Sequence, residues 1–152
     1  MSSIKKYFVA LSVVTALIGS GTAAADVKVG FLAGFTGPLK SLAPGMYKSA
    51  KLAAKHVNDQ GGILDGQQMI MPSGDSTCSD VTAAVDAATN LVEDENVLAI
   101  VGPLCSGAAI AIYNNVTIPA GITVVSPSAT SPEITSLNDG DLVFRTSPSD
   151  VY

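Results

Sequence analysis

Short apolar runs alternate with stretches of helical period through residues 26–152, and few architectures accommodate that order. Residues 27–33 (Val-Lys-Val-Gly-Phe-Leu-Ala) and 97–101 (Val-Leu-Ala-Ile-Val) are of strand length and almost unbroken in apolar character. Strands covered on both sides read this way, whereas strands with one wet face alternate. Residues 121–125 and 142–145 give two more short strands. Residues 67–73 give another, with Pro72 pointing to a sheet edge or an early end.

Between the runs the period changes. Met46, Ala50, Ala53, Ala54 and Val57 share one face of a helix expected over 44–60, with Lys48, Lys51 and Lys55 on a solvated face and Gly61-Gly62 as the stop. Val81, Ala84, Val85, Ala88, Leu91 and Val92 form a second apolar stripe, capped by Ser79 or Asp80. A third helix is expected over 106–116, and Thr130 with Glu133 matches a capping box before a short fourth. The order β-α-β-α-β-α-β-α-β predicts an α/β fold: an open parallel sheet with helices on both faces.

Residues 1–25 do not belong to that pattern. Lys5 and Lys6, the apolar run 7–18 and Ala23-Ala24-Ala25 have the layout of a secretory signal peptide, and the run is too short to span a bilayer. With no cysteine at the cleavage site to carry a lipid, the expected product is an untethered protein in the periplasm of a Gram-negative cell. Loss of Lys5 and Lys6 takes the formal net charge from −5 to −7. An acidic chain with a single arginine is a poor nucleic-acid binder. In an oxidising compartment the two cysteines, Cys78 and Cys105, are expected to pair.

Ligands in such sheets bind beyond the carboxyl ends of the strands. Three loops there are rich in hydroxyls and glycine: 35–38, 104–107 and 126–131. None holds an acid or a base. Hydroxyls and amides at helix starts suit a carboxylate rather than bond breaking. The sequence contains no GxSxG, GxxxxGK[ST], HExxH or GxGxxG. The only histidine, His56, lies in the first helix among lysines, and Asp139-Gly140-Asp141 reads as a turn. No enzyme, cofactor or metal is expected. An enzyme with Cys105 as nucleophile would need a free thiol and a base beside it.

Several motifs carry a family resemblance. They are Thr36-Gly37-Pro38 after the first strand, Val57-Asn58-Asp59-Gln60-Gly61-Gly62-Ile63 at the helix end, and Asp75-Ser76-Thr77-Cys78. Gly102-Pro103-Leu104-Cys105-Ser106, Ser126-Pro127-Ser128-Ala129-Thr130-Ser131-Pro132-Glu133 and Phe144-Arg145-Thr146 follow. In this order they resemble the leucine/isoleucine/valine-binding family of type I periplasmic solute-binding proteins, over essentially all of 26–152. The resemblance implies that 26–152 is the amino-terminal lobe of a two-lobed protein whose second lobe is absent. It implies closure around a free amino acid or small amide, delivery to an inner-membrane ABC permease, and the Cys78–Cys105 bridge. It places Ser106 and Thr130 as donors to the ligand carboxylate and the carbonyl of Ser128, in the Ser128-Ala129-Thr130 turn, on the ammonium. Leu42 stands where the family often has an aromatic over the ligand side chain. The alternative is a sensory domain for amides, urea or aromatic acids.

Overall fold

The computed structural model describes residues 25–151. The signal peptide expected over 1–25 lies outside them, save for its last residue. The expected α/β architecture is present: a sheet in which every strand pairing is parallel, with helices on both faces.

Strand β1 (Val27–Ala33) sits inside the sheet and matches its sequence boundaries, because its last four residues are buried. The second expected strand is two strands. β2 (Met69–Ile70) pairs with Val27 and Lys28, and β3 (Ser73–Asp75) pairs with residues Phe31, Leu32 and Ala33. Pro72 lies at the break, having no N–H to give, although its carbonyl accepts from Phe31 N at 2.8 Å. β4 (Ala99–Val101), β5 (Thr123–Ser126) and β6 (Val143–Arg145) complete the order β2-β1-β4-β5-β6, with β3 beside β1. β4 is shorter than its apolar run: Val97 turns into the core and Leu98 is 62 % exposed.

Helix α1 (Ala43–Asp59) covers one face of the sheet. Ala43, Met46, Tyr47 and Ala50 pack with Phe31, Ala33 and Leu104, while Ala53 is exposed. Its end shows why that motif takes its form. The Asn58 side chain donates to Met69 O at 2.9 Å and accepts from Met69 N at 2.7 Å, as a neighbouring strand would. Gly62 then turns back with φ +82°, where a Cβ would strike the Gln67 carbonyl.

On the other face lie α2 (Val81–Thr89) and α3 (Ser106–Ile112), each running on into a wider turn, over Asn90–Asp94 and Tyr113–Thr117. Asp80 caps α2 by accepting from Ala83 N at 3.0 Å. Ala84, Ala88, Leu91, Ile112 and Tyr113 pack against Leu32, Ile100 and Val124. Val81, from the expected stripe, is exposed at the helix start. The short fourth helix is a 3-10 turn, Pro132–Ser136. Its cap is Ser131, which accepts from Glu133 N at 3.3 Å, and not the expected Thr130.

Candidate functional site

All strands being parallel, their carboxyl ends meet one edge of the sheet. β2 and β3 leave β1 on one side, and β4, β5 and β6 on the other. The strand order therefore reverses between β1 and β4, and the loops beyond that point form the crevice in which open α/β sheets bind ligands.

Three loops build this rim. The first, after β1, is fixed by Asp75 at the end of β3. Its carboxylate accepts from Phe35 N at 2.9 Å, Thr36 N at 3.1 Å, Thr36 Oγ1 at 2.6 Å and Thr77 N at 2.9 Å. Burial alone would raise the pKa of Asp75, but these donors outweigh it and hold the carboxyl below its ordinary range. The loop ends at Leu42, just before α1, an apolar side chain that is 59 % exposed.

The second loop follows β4. Gly102 passes so close to β1 that a Cβ would strike the Leu32 carbonyl, and its φ is +111°. Cys105 is joined to Cys78, with 5.5 Å between their Cα atoms. The bridge links the loop after β3 to the loop after β4 across the end of β1; a Cβ on Gly34 would lie 3.2 Å from Cys78 Sγ. Both thiols are consumed, so Cys105 is no nucleophile.

Ser106, the first residue of α3, meets the third loop. Its Oγ accepts from Thr130 N and Ser131 N, both at 3.1 Å. Ser128 Oγ donates to Leu104 O at 2.8 Å. Below, Ser126 Oγ donates to Pro103 O at 2.7 Å and accepts from Ala129 N at 3.0 Å and Ser128 N at 3.4 Å. The 106 and 128–130 turns are thus hydrogen-bonded neighbours.

Two expected site residues are held by contacts within the chain. Ala129 is fully buried among residues of the α2–α3 core, so it anchors the turn and offers no surface to a ligand. Thr130 Oγ1 donates to Asp150 Oδ2 at 3.0 Å, and Asp150 N donates to Thr130 O at 3.0 Å. While the Thr130 hydroxyl makes this bond, its oxygen is left as an acceptor. Asp150 is not among the residues that the sequence marks as part of the site. Its one available signal was that it follows an edge strand ending on the same rim.

Among the described residues no three metal-ligating side chains converge. His56 is exposed on α1. Asp139 accepts from Asp141 N at 3.2 Å and Val143 N at 3.0 Å, which makes 139–141 a turn.

A family profile described as "Periplasmic binding protein" matches residues 26–150. The Leu/Ile/Val-binding protein homolog 7 of Brucella suis is 33 % identical over 144 residues, covering 95 % of this chain and 35 % of the relative. A chemotactic signal transduction substrate-binding protein, BasB, of Halobacterium salinarum is 37 % identical over 129 residues, 82 % of this chain and 30 % of the relative. Among solved structures, the branched-chain amino acid transporter substrate-binding protein LivJ of Streptococcus pneumoniae, in complex with isoleucine, superposes with a TM-score of 0.75 at 34 % identity. That match covers 84 % of this chain and 35 % of the other. The chain spans about a third of the length of these proteins.

Proposed function

This chain belongs to the periplasmic binding protein family, and from that premise we propose that it is the amino-terminal lobe of a solute-binding protein that captures a free amino acid of the branched-chain type for an ABC transporter. In this reading residues 1–25 export the chain to the periplasm, and a second lobe closes over a ligand first docked here.

The observation that carries the proposal is the opposite polarity of two hydroxyls on one rim. Ser106 Oγ receives two amide protons, which occupy its lone pairs, so its own proton is left to give outward. Thr130 has given its proton to Asp150 and can only accept. A donor and, on the residue whose amide reaches that donor, an acceptor backed by a carboxylate fit the two ends of an amino acid. The carboxylate sits on Ser106, and the ammonium sits on Thr130, Asp150 and the Ser128 carbonyl. This moves Thr130 from the carboxylate end, where the resemblance puts it, to the ammonium end. Leu42 faces the aliphatic side chain. Charge-assisted hydrogen bonds of this kind outlast competition from water only in a closed cleft, so the lobe by itself binds weakly and the second lobe supplies the affinity.

The test is an NMR titration of the isotopically labelled chain with L-leucine, 4-methylpentanoate and isoamylamine. Leucine should move the amides of Ser106, Gly107, Ser128 and Thr130. Each analogue, lacking one charged end, should move only part of that set. Asp150→Asn should weaken the amine and leave the acid alone. Leucine shifts scattered away from the rim, or none at all, would remove the assignment. The halobacterial relative named for chemotactic signalling favours a second reading, in which the same capture serves a receptor. It leaves the rim chemistry unchanged and differs only in the membrane partner pulled down by the closed protein.

A further inference from the structure

We propose that Arg145, the only arginine of the chain, is a positioning residue for the binding turn, holding it so that the Ser106 hydroxyl keeps its proton turned to the crevice. This rests on the reading of Ser106 given above and adds the device that fixes its polarity.

Four consecutive amides, from Ser128 to Ser131, are taken up by two hydroxyls: Ser126 Oγ receives the first two and Ser106 Oγ the last two. Ser126 is rigid in β5. Ser106 can receive its pair only while residues 130–131 stay pressed against the start of α3. Arg145 lies in β6, in register with Ser126 on the adjacent strand. Its Nη1 donates to Ser131 O at 2.9 Å and its Nη2 donates to Thr135 Oγ1. The guanidinium thus spans both sides of the 3-10 turn and ties the carbonyl of the residue whose amide reaches Ser106. A planar fork holds two such acceptors at a fixed separation, whereas an ammonium offers its three donors from a single point with no such geometry. Without it, residues 130–131 are free to lift, the two amides leave Ser106, and its hydroxyl regains lone pairs to offer. The donor at the carboxylate end then becomes an indifferent hydroxyl.

The experiment is amide hydrogen exchange by NMR on the ligand-free chain, comparing wild type with Arg145→Met, Arg145→Lys and Thr135→Val. The quantity read is exchange at Thr130 and Ser131 relative to Val124 and Ile100 in the core. The expected result is a rise of about tenfold in that ratio for Arg145→Met, with smaller rises for Arg145→Lys and Thr135→Val, each of which keeps one contact. An unchanged ratio in Arg145→Met overturns the proposal, as does equal acceleration at all four amides, which would make Arg145 a general stabiliser. Should Arg145→Met fail to fold, the ratio in Arg145→Lys and Thr135→Val decides by the same criterion. If leucine leaves the wild-type spectrum unmoved while the ratio behaves as expected, the ligand assignment falls and the hold of Arg145 on the turn stands.

Discussion

Replacing both bridged cysteines by serine should cost this domain several kcal/mol, and the amount follows from where the bridge lies. Cys78 and Cys105 are separated by 27 residues. Closing a loop of that length removes about 12 cal/mol/K from the unfolded chain, or roughly 3.5 kcal/mol at 25 °C. A domain of this size loses on the order of 4 °C in Tm per kcal/mol, so the double variant should melt roughly 10–15 °C lower. The closed loop contains α2 and β4, so the constraint lies across the centre of the fold and not at a fraying end. The assay is calorimetric melting of wild type and Cys78→Ser/Cys105→Ser without reductant, with wild type in dithiothreitol as a third sample that should melt with the variant. A loss below about 1 kcal/mol would refute the reasoning, since it would mean that the unfolded chain gains little freedom when the bridge is cut.

Two further predictions concern pH. The Asp75 carboxyl is held below its ordinary pKa, so the folded state binds fewer protons than the unfolded one in the acid range. Its stabilisation is complete above the unfolded value near pH 4 and fades as pH falls through the lower folded value; Asp75→Asn should flatten that part of the acid-unfolding curve, measured by circular dichroism, and loosen the amides of Phe35 and Thr36. Tyr113 behaves in the opposite sense. Burial pushes its hydroxyl up to about 12, against smaller opposing effects from Ser126 and Arg145. The unfolded chain ionises first, near pH 10, so stability should drop by about 1.4 kcal/mol per pH unit between there and pH 12, and Tyr113→Phe should abolish that slope. Apart from the small influence of Ser126, the buried Tyr113 hydroxyl makes no hydrogen bond of ordinary geometry, so its removal should leave neutral-pH stability nearly unchanged or raised. A loss on that substitution in denaturant titrations would count against the account.

What could be read in the sequence was whatever burial writes into residue type. β1 was legible because both its faces are covered, and the α2 stripe because Ala84, Ala88 and Leu91 point into one core. The errors fall where backbone hydrogen bonding decides. Pro72 divides one expected strand into two, and Leu98 is apolar yet exposed and precedes β4, although its N–H still reaches Lys28 O in β1. The cap of the last short helix moved by one residue, from Thr130 to Ser131, whose oxygen is the one that accepts from Glu133 N. Ala129 lies within the expected binding turn, but no sequence pattern told that its methyl faces the core. Arg145 and Asp150 were legible as charges and not as parts of the site, since each acts on a turn 14 to 20 residues earlier in the chain.

Hydroxyls are the reason such a site resists reading from composition. A carboxylate or an ammonium declares its partner by its charge, whereas a serine or threonine oxygen both gives and receives, and only its surroundings select which. Ser106 and Thr130 are chemically almost the same group. One is turned into a donor by two amides, and the other into an acceptor by a carboxylate. The fold therefore makes the two ends of its proposed site from the same side-chain chemistry, and the distinction resides in the residues behind them. It follows that Asp150→Ala and Arg145→Met should be more damaging to discrimination between the ends of a ligand than to its overall adhesion. Neither substitution removes a hydroxyl; each removes the group that decides which way one points. Competition between 4-methylpentanoate and isoamylamine for the same rim measures this directly. A variant that weakened both equally would show that the polarity of the hydroxyls is set elsewhere.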